Sequence, residues 1–369
     1  MIGGLVAVGT FTHGTSSLGL APLVATVVAW VASPLLGAIT SGMIHAMIRS
    51  AVHEASSPAA EAYRLQPLLV GLTTSVAAAF LLVSGPAALR ITPMLLGAAV
   101  SAGVGIAAAF CATAYQKSMR SDHSSELSLP GSNTPSVAGP HEEELAEIKP
   151  LAASTASYLA STLSATAGLV SVSQREGRRA ASLGHSIEEQ PFVPLLVLSA
   201  LTVAFAHGAN DLGNSIGPLA AILVIEQPNG DISRIPPIPL WLSFLGAAGF
   251  VAGIALLGSR TIQTVGAKIT KLTPSRSFAV QMGTAVAVLS STVLGLAVST
   301  SHCLVGSLIG IGIAEKLRGG SGAQLNLNML LKIITGWVVT IPLAMGVSVV
   351  AFASLQPSYL ADPLCISGV

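Results

Sequence analysis

Charge is the scarcest commodity in this sequence. Only 9% of its 369 residues are Asp, Glu, Lys or Arg, where soluble domains carry about 25%. A solvated globular domain is thereby excluded. The 17 basic and 16 acidic side chains nearly balance, so no field is present to draw nucleic acid or an acidic partner. Aromatic residues make up 4%, too few to mark interfacial belts. The three cysteines, Cys111, Cys303 and Cys365, lack metal-ligand spacing and form no disulfide framework. No basic n-region precedes the first span, so no cleavable signal peptide is expected. What the chain has in abundance is apolar length: 51% hydrophobic residues and a mean hydropathy of +0.74. It reads as a polytopic membrane protein.

The apolar runs are separable. Met1–Gly9 is a short apolar, glycine-rich piece. Leu20–Ile48 is a long span with Ser33-Pro34 at its middle, where a kink is expected. Gln66–Val83 and Met94–Ala114 are the next two spans. From Gln116 to Gln190 the composition turns to Ser, Gly, Pro and charge, with the acidic run His141-Glu142-Glu143-Glu144. That stretch reads as a solvated linker, with Leu151–Val172 mild enough for a surface helix. The expected division is 1–115, a first transmembrane repeat; 116–190, a hydrophilic linker; and 191–369, a second repeat. Phe192–Ile225, Pro239–Leu257, Phe278–Val298 and Leu330–Phe352 are spans of the second repeat, with a short apolar piece at Leu304–Ala314.

Two polar elements interrupt these runs. The first is Ala206–Pro218, AHGANDLGNSIGP. An aspartate at membrane depth is costly and marks a functional site by default. Asn210, Asp211 and Asn214 stand there among Gly208, Gly213 and Gly217. The glycines predict a broken helix with free backbone groups. The plainer reading, a polar patch that glues helices together, needs fewer polar and glycine residues than are present. The second element is Ser299-Thr300-Ser301-His302, where an apolar span ends and a short helix begins. Three hydroxyls beside a helix N-terminus suit a small oxyanion. Asp211 does the opposite: it attracts a cation, or accepts a hydrogen bond from a protonated anion. Together they point to cation-coupled uptake of phosphate, sulfate or a carboxylate. His207, four residues before Asp211, is a structural histidine, a proton relay or one of two metal ligands; two ligands make no specific metal site. Ser301-His302 sits in no hydrolase elbow, so no enzyme activity is expected.

The chain also repeats itself. Ile2–Gly9 (IGGLVAVG) matches Val305–Gly312 (VGSLIGIG). Downstream, Trp30-Val31 leads to Ser33-Pro34, as Trp337-Val338 leads to Thr340 and Pro342. Paired repeats with discontinuous helices at the midplane build many secondary transporters. By this alignment the early counterparts of both polar elements fall before Met1, and the expectation is an N-terminally incomplete copy.

GANDLGNSIGP resembles the GANDVAN signature of the inorganic phosphate transporter (PiT) family, and VSTSHCLVGSLIGIG resembles its P-V-S-T-T-H-x-x-V-G element. The resemblance covers nearly the whole chain outside the linker. It implies an all-α polytopic fold with inverted repeats and broken or re-entrant helices, and an elevator-like phosphate symporter. Carried over, Asn210, Asp211 and Asn214 belong to one half of the substrate and ion site, and Ser299, Thr300 and Ser301 to the other. The implied partners are inorganic phosphate, Na⁺ or H⁺ as coupling ion with no other cofactor, the lipid bilayer of the plasma membrane, and a second copy in a homodimer; nucleic acid is not among them. Ala297 stands where the family has proline, Ser301 replaces a threonine, and the first repeat's polar elements are absent. A carrier of sulfate or another oxyanion, and a non-transporting membrane homologue, stay open as alternatives.

Overall fold

A backbone in hydrocarbon has no water to bond, so long apolar runs close their hydrogen bonds within themselves and become helices. The computed structural model describes residues 2–15, 18–83, 94–126, 186–225, 238–268, 272–319 and 326–355. Among these residues are nine α-helices and no strand. They are α1 Ile2–His13, α2 Leu20–Ile48, α3 Pro58–Val83, α4 Met94–Glu126, α5 Phe192–Ile225, α6 Leu240–Lys268, α7 Pro274–Val293, α8 Thr300–Leu317 and α9 Leu327–Leu355. Six of the helical segments are long and apolar enough to cross a membrane: those of α2, α3, α4, α5, α6 and α9. Their outer faces carry large apolar side chains such as Leu95, Phe110, Leu256 and Val347, all exposed. On a soluble protein such a surface would aggregate; here it is the lipid contact of an integral multi-pass membrane protein.

The interior belongs to α7 and α8. Helices α7 and α8 are rich in Ser, Thr, Gly and Ala, and they are covered by protein on most sides. Small residues let backbones meet where lipid gives no hydrophobic drive for association. On α2 the residues Ala29, Ser33, Gly37, Ser41 and His45, four apart, form one buried stripe. Opposite them on α8, a Cβ at Gly306 would strike the Pro34 backbone, and one at Gly310 the Ala38 backbone. A Cβ at Gly283 of α7 would lie 2.8 Å from the Gly37 carbonyl oxygen. Ser41 Oγ donates to the Ser307 carbonyl at 2.7 Å, and Thr284 Oγ1 donates to Ser307 Oγ at 3.2 Å. Pro34 does not divide α2, which runs through it from Leu20 to Ile48. The proline lies at one of the two tight approaches of α8, opposite Gly306.

At the far end of α8, buried Glu315 gathers three basic groups from two other helices and the turn after α2. His45 Nε2 lies 2.7 Å from Oε1, Arg49 Nη1 3.1 Å from Oε2, and Arg276 Nη2 3.1 Å from Oε1. Glu189, in a short 3₁₀ turn at Ile187–Glu189, caps α7: the Ser275 amide and hydroxyl each donate to it at 2.8 Å. A carboxylate at a helix N-terminus is favourable because the unpaired N–H groups and the dipole both attract it.

The hydrophilic stretch Gln116–Gln190 therefore has ordered ends. Helix α4 continues to Glu126, and Glu189 is buried. The acidic run and Leu151–Val172 lie outside the described residues. The repeat seen in the sequence has a structural counterpart. Gly3 of α1 approaches the Ile341 carbonyl oxygen of α9 (3.1 Å from an added Cβ), as Gly306 of α8 approaches that of Pro34 in α2. The aligned glycines thus each meet a long helix at or beside its internal proline, Pro342 in α9 and Pro34 in α2.

Candidate functional site

Helix α5 carries the first polar element. The break expected at Gly208, Gly213 and Gly217 does not occur, since the helix is continuous from Phe192 to Ile225. Glycine costs a helix only about 1 kcal/mol relative to alanine, whereas an opened backbone in an apolar setting loses whole hydrogen bonds. A Cβ at any of the three would meet nothing within 4 Å. Continuity sets His207, Asn210, Asp211 and Asn214 on one face, at spacings of three and four.

The second polar element does leave helical conformation. Helix α7 ends at Val293, before the Val298 expected from the apolar run, and α8 starts at Thr300. Gly295 takes a positive φ of 67°, which supplies the turn although Ala297 replaces a proline. Ser299 is the N-cap of α8, and its hydroxyl accepts the His302 amide at 3.4 Å.

The two elements meet at the Asp211 carboxylate. Asn210 Nδ2 donates to Oδ1 at 2.7 Å, and Thr300 Oγ1 donates to Oδ2 at 3.1 Å. His207 Nε2 lies 2.6 Å from the same Oδ2. Asn210 also donates to the Val298 carbonyl at 3.0 Å, tying α5 to the non-helical segment. Asn210 and Thr300 are nearly covered, at 9% and 8% exposure, while the Asp211 side chain is 27% exposed. A carboxylate about a quarter exposed is thus held by three donors beside the positive end of α8.

Of the residues singled out in the sequence, Asn210, Asp211 and Thr300 come together directly. Ser299 serves the helix cap, and Ser301 is exposed. Asn214 is half-buried and forms no side-chain hydrogen bond among the described residues. Two participants had weaker signals. His207 shows itself only through its spacing of four from Asp211. The Val298 carbonyl has no side-chain signal at all, because any residue presents one.

A family model described as "Phosphate transporter family" matches residues 1–348. A "Putative phosphate permease" of Haemophilus influenzae is 40% identical over 168 residues, which is 46% of this chain and 39% of that protein. The "Inorganic phosphate transporter 2-1, chloroplastic" of Arabidopsis thaliana is 30% identical over 95% of this chain and 53% of its own length. A solved structure described as "The sodium-dependent phosphate transporter" aligns with a TM-score of 0.65 at 24% identity, covering 96% of this chain and 72% of that one. At that identity the likeness carries the fold. The chain spans about half the length of the curated relatives it matches.

Proposed function

The chain belongs to the phosphate transporter family, and from that premise we propose that it takes part in carrying inorganic phosphate across a membrane, coupled to Na⁺ or H⁺. One observation supports this reading above the others: the Asp211 carboxylate of α5 is bonded to Thr300 in the first turn of α8. The N-terminal turn of α8 offers amide and hydroxyl donors suited to an oxyanion. Asp211 places a negative charge against the same turn. An anion brought there meets repulsion until a cation or proton neutralises the carboxylate. Coupling is then a consequence of electrostatics. The cation prepares the site, and the anion completes it. The names borne by the Arabidopsis relative and the solved structure support phosphate as the anion and sodium as the cation.

The test is uptake of radiolabelled phosphate by vesicles holding the purified chain. Sodium is exchanged for choline in one arm, and a proton gradient is imposed in another. Expected are saturable uptake, dependence on one of the two cations, and weak competition by sulfate. Sulfate displacing phosphate at equal concentration would move the reading to a general oxyanion carrier. Absence of uptake with either cation would leave a membrane protein that does not transport by itself.

A further inference from the structure

We infer that Trp337 of α9 is a positioning residue for the first turn of α8, acting through a ring contact with His302. The inference rests on the reading of that turn as the oxyanion-binding half of the site. The Trp337 and His302 ring centroids are 3.8 Å apart, with the planes tilted by 42°. That separation puts the two rings in direct contact.

The placement gives the contact its meaning. Helix α9 is mostly exposed, and its first half meets the interior along one stripe: Leu330, Ile333 and Trp337, at spacings of three and four. The stripe belongs to the apolar cluster that includes Val305, Leu308 and Ile311 of α8, and its last member meets His302 in the first turn of that helix. Trp337 is therefore the last side chain of the stripe, at the level of the site. On α8, His302 follows Ser299, Thr300 and Ser301 directly. Its amide closes the cap on Ser299, while its ring lies on Trp337. One residue thus joins the cap of the turn to α9.

The remainder of α8 is secured independently. Gly306 and Gly310 lock it to the α2 backbone, and Glu315 holds its far end through His45, Arg49 and Arg276. The segment leading into the turn is non-helical and includes the left-handed Gly295. Toward α5 it is tied by two side-chain bonds, Asn210 to the Val298 carbonyl and Thr300 to Asp211. The first turn is tied to α5 by these two bonds, to α2 through fully buried Cys303, whose carbonyl oxygen would lie 2.9 Å from a Cβ at Gly37, and to α9 through Trp337. Removing the indole loosens the His302 side of that turn without unseating the helix. The loss falls on phosphate binding and spares both assembly and the steps that follow binding.

The experiment uses the full chain in vesicles, with inorganic phosphate as the probe. Trp337→Ala is expected to raise the half-saturation concentration about two- to tenfold, with the maximal rate per inserted protein nearly unchanged. Trp337→Phe, which keeps a ring against His302, should recover most of the loss. His302→Ala should match Trp337→Ala, and the double variant should be no worse than either single one. Effects that multiply in the double variant, or unchanged half-saturation in both single variants, overturn the inference while leaving the transport reading intact. A second arm does not depend on transport. Of the three tryptophans, Trp30 and Trp241 are replaced by phenylalanine, so that Trp337 alone emits. Below the pH at which His302 protonates, His302→Ala should then brighten the emission, because a protonated imidazole in contact with an indole quenches it. If the unmutated chain takes up no phosphate, the transport reading falls and this arm decides the stack. Emission indifferent to His302→Ala overturns it.

Discussion

Asp211 concentrates the chemistry of the site because its oxygens are where α5 and α8 touch. Replacing it by asparagine keeps the shape but removes the charge. The new amide also turns one acceptor into a donor facing Asn210, Thr300 or His207, all of which donate. Asp211→Asn is expected to abolish cation-dependent phosphate uptake while surface expression stays near normal. Wild-type uptake by a correctly inserted variant would remove Asp211 from its assigned role. Thr300→Val keeps volume and removes the hydroxyl that reaches the carboxylate. It should weaken phosphate binding by about 1–3 kcal/mol, the cost of an unpaired buried group, read as the shift in half-saturation. Ser299→Ala acts differently, since its hydroxyl caps α8. It should lower thermal stability by about 1 kcal/mol, measured by unfolding in detergent.

The helices are held less by greasy side chains than by the absence of side chains at their crossings. Gly306→Ala and Gly310→Ala each drive a methyl into the α2 backbone. Backbone cannot move aside as a flexible side chain can. Each substitution should cost about 1–3 kcal/mol or more, seen as a lower melting temperature and poorer insertion. Gly253→Ala on exposed α6, where nothing lies within 4 Å of the added atom, is the control. It should be neutral or stabilise by up to about 1 kcal/mol. A Gly310→Ala protein as stable as wild type would show that the crossing can open. The glycines of α5 lie at no crossing, and the apolar medium keeps that helix closed through them, as α2 stays continuous through Pro34. Local propensity is worth about 1 kcal/mol at a glycine and about 3 kcal/mol at a proline, and the neighbouring helix or the apolar medium outweighs it.

Among the described residues, ionisable groups cluster at the two ends of α8: Asp211 and His207 beside Thr300 at one, and Glu315 with its three basic partners at the other. Glu315→Gln leaves His45, Arg49 and Arg276 facing one another without their shared counter-charge. Breaking a buried pair from one side costs about 3–5 kcal/mol. The variant should unfold at a markedly lower temperature, whereas Glu54→Gln, whose carboxylate is half exposed, should change little. An unaltered melting temperature for Glu315→Gln would show that the cluster does not hold α2, α7 and α8 together. The sequence by itself determined the membrane setting, the helical class, most span boundaries and the two polar elements. Apolar length and helical spacing are properties of consecutive residues, so they can be read along the chain. The tertiary structure alone decided which hydroxyl reaches Asp211, that α5 stays continuous, that Trp337 covers His302, and that Glu315 collects charges from 270 and 39 positions away. Each of these depends on residues far apart in the chain whose distance is set only when close-packed backbones choose how the helices cross.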